Sequence, residues 1–165
     1  MTLTQALSFL PFVLPIAIWV SWSDMKFMKI PNQAVLALAA VWLGVGFLVM
    51  PLEAWAWGWA LLAIVMVIGF LANMVSLLGA GDAKFAAAMA PFFVLGDIRT
   101  TLGLFAACLL AAFVSHRVAR RIPALKPLTT QWVSWTNKDF PMGLALSATL
   151  LFHLSLPIWA LVRGG

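Results

Sequence analysis

The chain has 165 residues, of which 64% are hydrophobic and only 9% are charged. An average soluble domain carries about 25% charged residues, so this chain has too few polar side chains to coat a water-soluble globule. Ten Lys and Arg residues against five acidic ones give a net charge of +5, which leaves little for the clustered basic face that nucleic acid requires. The composition therefore predicts a membrane protein and excludes a nucleic-acid-binding domain.

Apolar runs separated by short polar breaks predict six membrane-spanning helices. A span needs about 20 apolar residues, so six spans leave one domain, residues 1–165, and no room for a soluble one. The first run has no Lys or Arg before it and no small-residue cleavage site after it, so we interpret it as a retained span. In chain order the predicted spans are Leu3–Trp22, Gln33–Met50, Ala54–Val75, Ala83–Leu95, Ile98–Val114 and Phe140–Leu161.

The distribution of Lys and Arg predicts the orientation, because these residues accumulate in cytoplasmic loops. Only Arg99 and Arg163 lie on one side of the predicted topology. The other side, which follows the odd-numbered spans, holds Lys26, Lys29, Lys84, Arg117, Arg120, Arg121, Lys126 and Lys138. We therefore expect an all-α protein with six transmembrane helices and both termini outside the cytoplasm.

The longest break runs from His116 to Asp139 and combines five basic residues with Trp132 and Trp135. Basic side chains beside aromatic ones favour the surface of an anionic lipid leaflet. We expect this segment to contact membrane lipid, and docking of a partner protein is the alternative.

Two of the five acidic residues, Asp24 and Asp82, each adjoin a predicted span on the cytoplasmic side. From Asp82 to Leu95 the fourth span measures about 21 Å as a helix, whereas the hydrocarbon core is about 30 Å thick. Either the bilayer thins here or Asp82 lies below the membrane surface, and an ionisable group at that depth indicates function. The other three acids lie in polar breaks, where we expect solvated side chains: Glu53, Asp97 and Asp139.

Two carboxylates on one side of a membrane suggest a shared site. Like charges at close range cannot both ionise, so such a pair keeps one proton and can activate water against a peptide carbonyl. Asp82 begins a predicted helix, where the dipole favours the ionised form. We therefore expect Asp82 to act as the base and Asp24 to carry the proton.

Short motifs surround both acids. Asp82 closes the run Gly79-Ala80-Gly81-Asp82 and is followed by Lys84; the glycines allow close backbone approach or a positive φ. After Asp24, Pro31 disfavours helix at Ile30, and Asn32 is expected to cap the next helix, with a contact to substrate as the alternative. Lys84 is either a substrate contact or an ordinary cytoplasmic lysine.

Three other polar or reactive side chains lie within predicted spans. Cys108 is expected to be a small buried hydrophobe. His153 is expected to hydrogen-bond to a facing helix. Asn73 is expected to form a hydrogen bond between helices.

With these motifs the chain resembles the type IV prepilin peptidases, membrane aspartyl proteases of the Gly-x-Gly-Asp kind. That family has an Asp followed six residues later by Ile-Pro-Asn, as Asp24 is followed here by Ile30-Pro31-Asn32. A Gly-x-Gly-Asp-x-Lys box follows some fifty to sixty residues on, as Gly79 to Lys84 does here. Phe140-Pro141-Met142-Gly143 resembles a Pro-aromatic-Gly turn of the family, with Met142 in place of the aromatic residue.

The resemblance implies that Asp24 and Asp82 are the catalytic pair, and that they remove the short basic leader of a prepilin at the cytoplasmic face, just before its hydrophobic helix. It implies no metal and no cofactor. Residues expected to bind substrate or shape the site are Gly79, Gly81, Lys84, Pro31 and Asn32.

Larger members of the family carry a methyltransferase insertion with paired Cys-x-x-Cys zinc ligands, whereas this chain has one cysteine. It resembles the short form that serves Flp-type, tight-adherence pili, which implies cleavage without N-methylation. The implied location is the bacterial cytoplasmic (inner) membrane. The implied partners are a prepilin substrate, membrane lipid and the pilus assembly machinery.

Two other functions remain open on the sequence. A small proton-coupled carrier would use intramembrane acids as relays, but such carriers often show internal repeats and midplane acids. A non-catalytic scaffold of a secretion system would require Asp24 and Asp82 to be far apart or dispensable.

Overall fold

The computed structural model describes residues 1–122, 129–137 and 139–164. Within these ranges the chain is helical and contains no strand, which confirms the predicted all-α class. Lys126 and Lys138, which contribute to the predicted orientation, lie outside the described residues. The orientation itself stays a prediction.

Each predicted span corresponds to one helix. In the part of the chain that the structure describes, five helices are long and apolar enough to cross a membrane. The helix at Ala80–Met89 is shorter and continues as a 3-10 turn over Ala90–Phe93, so the count of six spans stays a prediction. The helices are α1 (Leu3–Phe27), α2 (Asn32–Val49, with a π-helical turn at Trp42–Gly46), α3 (Leu52–Met74), α4 (Ala80–Met89), α5 (Ile98–Ala119) and α6 (Met142–Gly164).

Helix α1 is longer than predicted. Thr2 and Gln5 form a capping box at its start, which satisfies two otherwise unpaired backbone N–H groups. The helix passes Trp22, the predicted end, and stops at Met28, whose left-handed backbone directs its N–H to the carbonyl of Asp24. Asp24 therefore lies in the last helical turn.

The hairpin of α2 and α3 is held together by two tryptophans. The indole N–H of Trp42 donates to the carbonyl of Trp55 at 3.3 Å, and that of Trp55 donates to the carbonyl of Trp42 at 3.2 Å. Gly58 makes room for the buried indole, since a Cβ there would lie 2.4 Å from Trp42 Cζ2. These contacts fix the packing of α3 against α2.

Helix α4 is positioned at both of its ends. Near its start, Gly69 of α3 lets Ala83 approach so closely that a Cβ at residue 69 would lie 2.8 Å from the Ala83 Cβ. After its end, the carbonyl of Phe92 lies 3.1 Å from His153 Nε2. The predicted hydrogen bond between His153 and a facing segment is confirmed.

Helix α5 packs mainly on α6. Asp97 caps its start, accepting the backbone N–H of Thr100 at 2.9 Å, and is solvent-exposed as predicted. Cys108 is buried, which confirms its prediction as a small core residue. In the described part of the longest break, the Trp135 ring stacks on the ring of His116, at a centroid distance of 5.3 Å.

Candidate active site

Asp24 projects from the last turn of α1 and is only 5% exposed. Its Oδ2 atom accepts the backbone N–H of Gly143 at 2.7 Å. Gly143 lies in the first turn of α6, whose backbone N–H groups have no partner within the helix. A Cβ at this position would lie 2.9 Å from Asp24 Oδ2 and 3.0 Å from Asp24 Cβ, so the close approach depends on glycine.

Asp82 lies in the first turn of α4, as predicted. Its carboxylate lies against Gly79, the residue that precedes the helix. A Cβ at Gly79 would lie 2.6 Å from Asp82 Oδ2, so this close approach too depends on glycine. Both carboxylates thus lie against a glycine at a helix start.

The two carboxylates lie close enough to affect each other. The pKa of Asp82 is raised to about 6: burial is the largest cause, the negative charge of Asp24 adds to it, and the backbone of Gly79 partly offsets both effects. The helix dipole does not keep the pKa of Asp82 low, because burial outweighs it. The assignment of Asp82 as the base and of Asp24 as the proton carrier stays a prediction. The protons of such a coupled pair belong to both groups together.

Two cavities meet at the carboxylates. The smaller, of about 310 Å³, extends towards the α1–α2 loop. The larger, of about 510 Å³, extends towards the α3–α4 loop and the residues that precede α6. The residues that line both cavities are Asp24, Met28, Gly79 and Asp82.

Three of the other predicted site residues line the smaller cavity without belonging to both cavities, and Pro31 lies outside both. Gly81, Asn32 and Lys84 line the smaller cavity. Pro31 lines neither cavity; it precedes α2, and its carbonyl accepts the N–H groups of residues 34 and 35. The predicted cap by Asn32 is wrong, because this residue is already within the helix, and its Oδ1 instead accepts from Lys84 Nζ at 3.3 Å.

The glycines of the motif serve close packing rather than unusual backbone conformation. None of the described glycines has a positive φ. The left-handed residues are Met28 and Ser76, both of which line the larger cavity. The alternative that Gly79 or Gly81 adopts a positive φ is therefore wrong.

Sequence reasoning missed several residues around the larger cavity. It noted Gly143 within a turn motif but did not assign it a contact with Asp24. Asp139 is a solvent-exposed loop residue, as predicted, but sequence reasoning did not assign it to the larger cavity, which it lines together with Asn137 and Asn73. Asn73 Nδ2 donates to the carbonyl of Leu78 at 2.7 Å, so the predicted hydrogen bond between helices is wrong.

The model of the type IV leader peptidase family matches residues 11–116, a range that includes both carboxylates. The chain belongs to this family. No curated protein and no solved structure matches the chain significantly. In this member of the leader peptidase family, Asp139 and Gly143 lie beyond the matched range, although both border the same site.

The site offers few ligands for a metal ion. Among the described residues, no group of three or more His, Cys, Asp or Glu side chains could hold one. Its reactive groups are the two carboxylates, and a pair that shares one proton can act as general base and general acid.

Proposed function

We propose that the protein is an aspartyl endopeptidase that removes the short leader of Flp-type prepilins at the cytoplasmic face of the inner membrane, without N-methylation. The observation that carries the proposal is that Asp24 and Asp82 both line the same two cavities. A peptide that extends from one cavity into the other passes both carboxylates. Membership of the type IV leader peptidase family supports it.

The chemistry follows from the shared proton. The ionised carboxylate removes a proton from a bound water, and the water oxygen attacks the scissile carbonyl carbon. The protonated carboxyl donates to the carbonyl oxygen as negative charge develops there. Collapse of the tetrahedral intermediate breaks the C–N bond, and the leaving amine takes a proton from the pair. The N–H group of Gly143 keeps the Asp24 carboxylate in place throughout.

The proposed cleavage without N-methylation is supported by the cysteine content of the chain. The chain has a single cysteine, Cys108, so a paired Cys-x-x-Cys zinc site cannot form within it.

The test compares the wild type, Asp24→Asn, Asp82→Asn and Glu53→Gln in membranes that contain an Flp-type prepilin. We expect both Asp variants to lose cleavage by at least about 10³-fold, because each removes one member of an acid–base pair. Glu53 is an exposed acid in the first turn of α3, so Glu53→Gln should cleave like the wild type.

Cleavage that persists in either Asp variant at matched protein level would exclude the aspartyl mechanism. The mass of the mature pilin tests the second part of the proposal. An added methyl group on its N-terminal amine would contradict cleavage without N-methylation.

A further inference from the structure

The two cavities that meet at the carboxylates differ in charge. The larger cavity is lined by the exposed carboxylate of Asp139, and its lining includes no Lys or Arg among the described residues. The smaller cavity is lined by two exposed lysines, Lys29 and Lys84. The ammonium group of Lys84 has a neutral partner, Asn32 Oδ1, so its charge is not cancelled by that contact.

The polar groups of the larger cavity suit a cation. Asn73, Ser76 and Asn137 line it beside Asp139, and amide and hydroxyl oxygens accept hydrogen bonds from ammonium and guanidinium groups. A cation entering the smaller cavity would instead meet two like charges. Charge complementarity therefore indicates that a basic segment of the substrate binds in the larger cavity.

We propose that Asp139 is a specificity-determining residue: the basic leader of the substrate lies in the larger cavity, where Asp139 binds a leader Lys or Arg, and not in the cavity lined by Lys29 and Lys84. The inference rests on the proposed function and adds the direction in which the substrate lies across Asp24 and Asp82.

The kinetic test measures KM and kcat for two substrates, a prepilin with its basic leader and a variant with the leader Lys and Arg residues changed to Gln. Asp139→Asn should raise KM for the basic leader about two- to fivefold, the range expected for an exposed ion pair, and leave kcat unchanged. With the neutral leader the same substitution should have no effect. The difference should shrink at high salt.

Charge reversal provides the matched arm. Asp139→Lys should bind the basic leader worse still, and a leader with Glu in place of Lys should recover the loss. Lys26→Gln is the control for a change of charge near the site that lies outside both cavities. The Lys26 ammonium lies 5.0 Å from the Trp22 ring centroid, and Lys26 lines neither cavity.

A second measurement detects the contact itself in the inactive Asp24→Asn protein, with Cys108→Ser removing the native thiol. A cysteine in the leader should cross-link to Asn137→Cys in the larger cavity and not to Lys29→Cys in the smaller one. Cross-linking only to Lys29→Cys would overturn the proposal, as would equal effects of Asp139→Asn on both leaders. If Asp24→Asn itself cleaves the prepilin, the proposed function is wrong. If cleavage needs both Asp residues but does not change when Asp139 is substituted, only this inference is wrong.

Discussion

Burial and the charge of Asp24 raise the pKa of the Asp82 carboxyl to about 6, above its ordinary value of 3.8. The folded state therefore holds the Asp82 proton more tightly than the unfolded state does. As the pH rises from about 4 to about 6, the unfolded state loses this proton first and the free energy of unfolding falls. Above about pH 6 Asp82 is ionised in both states, and the free energy of unfolding is lowered by the full cost of ionising Asp82 in the folded protein.

We accordingly expect Asp82→Asn to raise the unfolding temperature at pH 8 and to give no gain at pH 4. The gain should lie well below the value of about 3 kcal/mol that the shift alone would give at about 1.4 kcal/mol per pKa unit, because solvent screens the partly exposed carboxylate. Thermal unfolding in detergent at both pH values measures it.

Asp97 provides a control of opposite sign. The N–H and hydroxyl groups of Thr100 hold the pKa of the Asp97 carboxyl below its ordinary value. Asp97→Asn should therefore lower the unfolding temperature at pH 8, where the wild-type carboxylate is ionised. An Asp82→Asn protein that is less stable than the wild type at pH 8 would contradict the assigned cost of ionising Asp82.

Among the helices, the contact between α3 and α4 decides where Asp82 lies. Ala83, the next residue, packs on Gly69 with both its side chain and its backbone, and a Cβ at residue 69 would lie 3.2 Å from the Ala83 Cα. Backbone cannot move aside as the end of a flexible side chain can. Helix α4 must therefore shift as a whole if residue 69 gains a side chain.

Gly69→Ala should consequently reduce prepilin cleavage by about tenfold or more, because a misplacement of about 1 Å can cost 10²-fold in rate. Overpacking should also cost about 1–3 kcal/mol of stability. Cleavage rate and unfolding temperature are measured together. Gly103→Ala in α5 is the control, since a Cβ there meets nothing within 4 Å, and it should keep full activity. Wild-type cleavage by Gly69→Ala would show that α4 tolerates displacement.

For the molecule as a whole, the position of the site relative to the membrane depends on the predicted orientation. Asn137 lines the cavity beside Asp24 and Asp82, at one end of the helices. Helix α4 and its 3-10 turn run from that end to Phe93, so Asp97, which follows them, lies towards the opposite end. One residue from each end is enough to test the orientation.

In a Cys108→Ser background we expect Asp97→Cys to react with a membrane-impermeant maleimide added outside intact spheroplasts. Asn137→Cys should react only after the membrane is permeabilised. The Lys and Arg excess on the side of the carboxylates is the physical reason, because these residues are retained in the cytoplasm. The reverse labelling pattern would place the carboxylates outside the cytoplasm and contradict cleavage at the cytoplasmic face.

The sequence by itself determined the class of this protein and singled out its two candidate catalytic residues. Apolar runs locate membrane helices because a bilayer forces the backbone to satisfy its own hydrogen bonds. Asp24 and Asp82 stand out because an ionisable group held below the membrane surface is costly. The apolar runs also located the six helices, although α1 runs past Trp22 and α6 begins only at Met142, since caps and Pro141 rather than hydropathy set these ends.

Only the tertiary structure decided which groups surround the carboxylates. Gly143 donates to Asp24 from 119 residues away in the chain, and Asp139 joins the same cavity, because α6 packs along α1. Asn32 is within reach of Lys84 because α2 packs against α4. The high pKa of Asp82 likewise depends on burial and on the charge of Asp24, both of which arise from packing between helices and leave no pattern along the sequence.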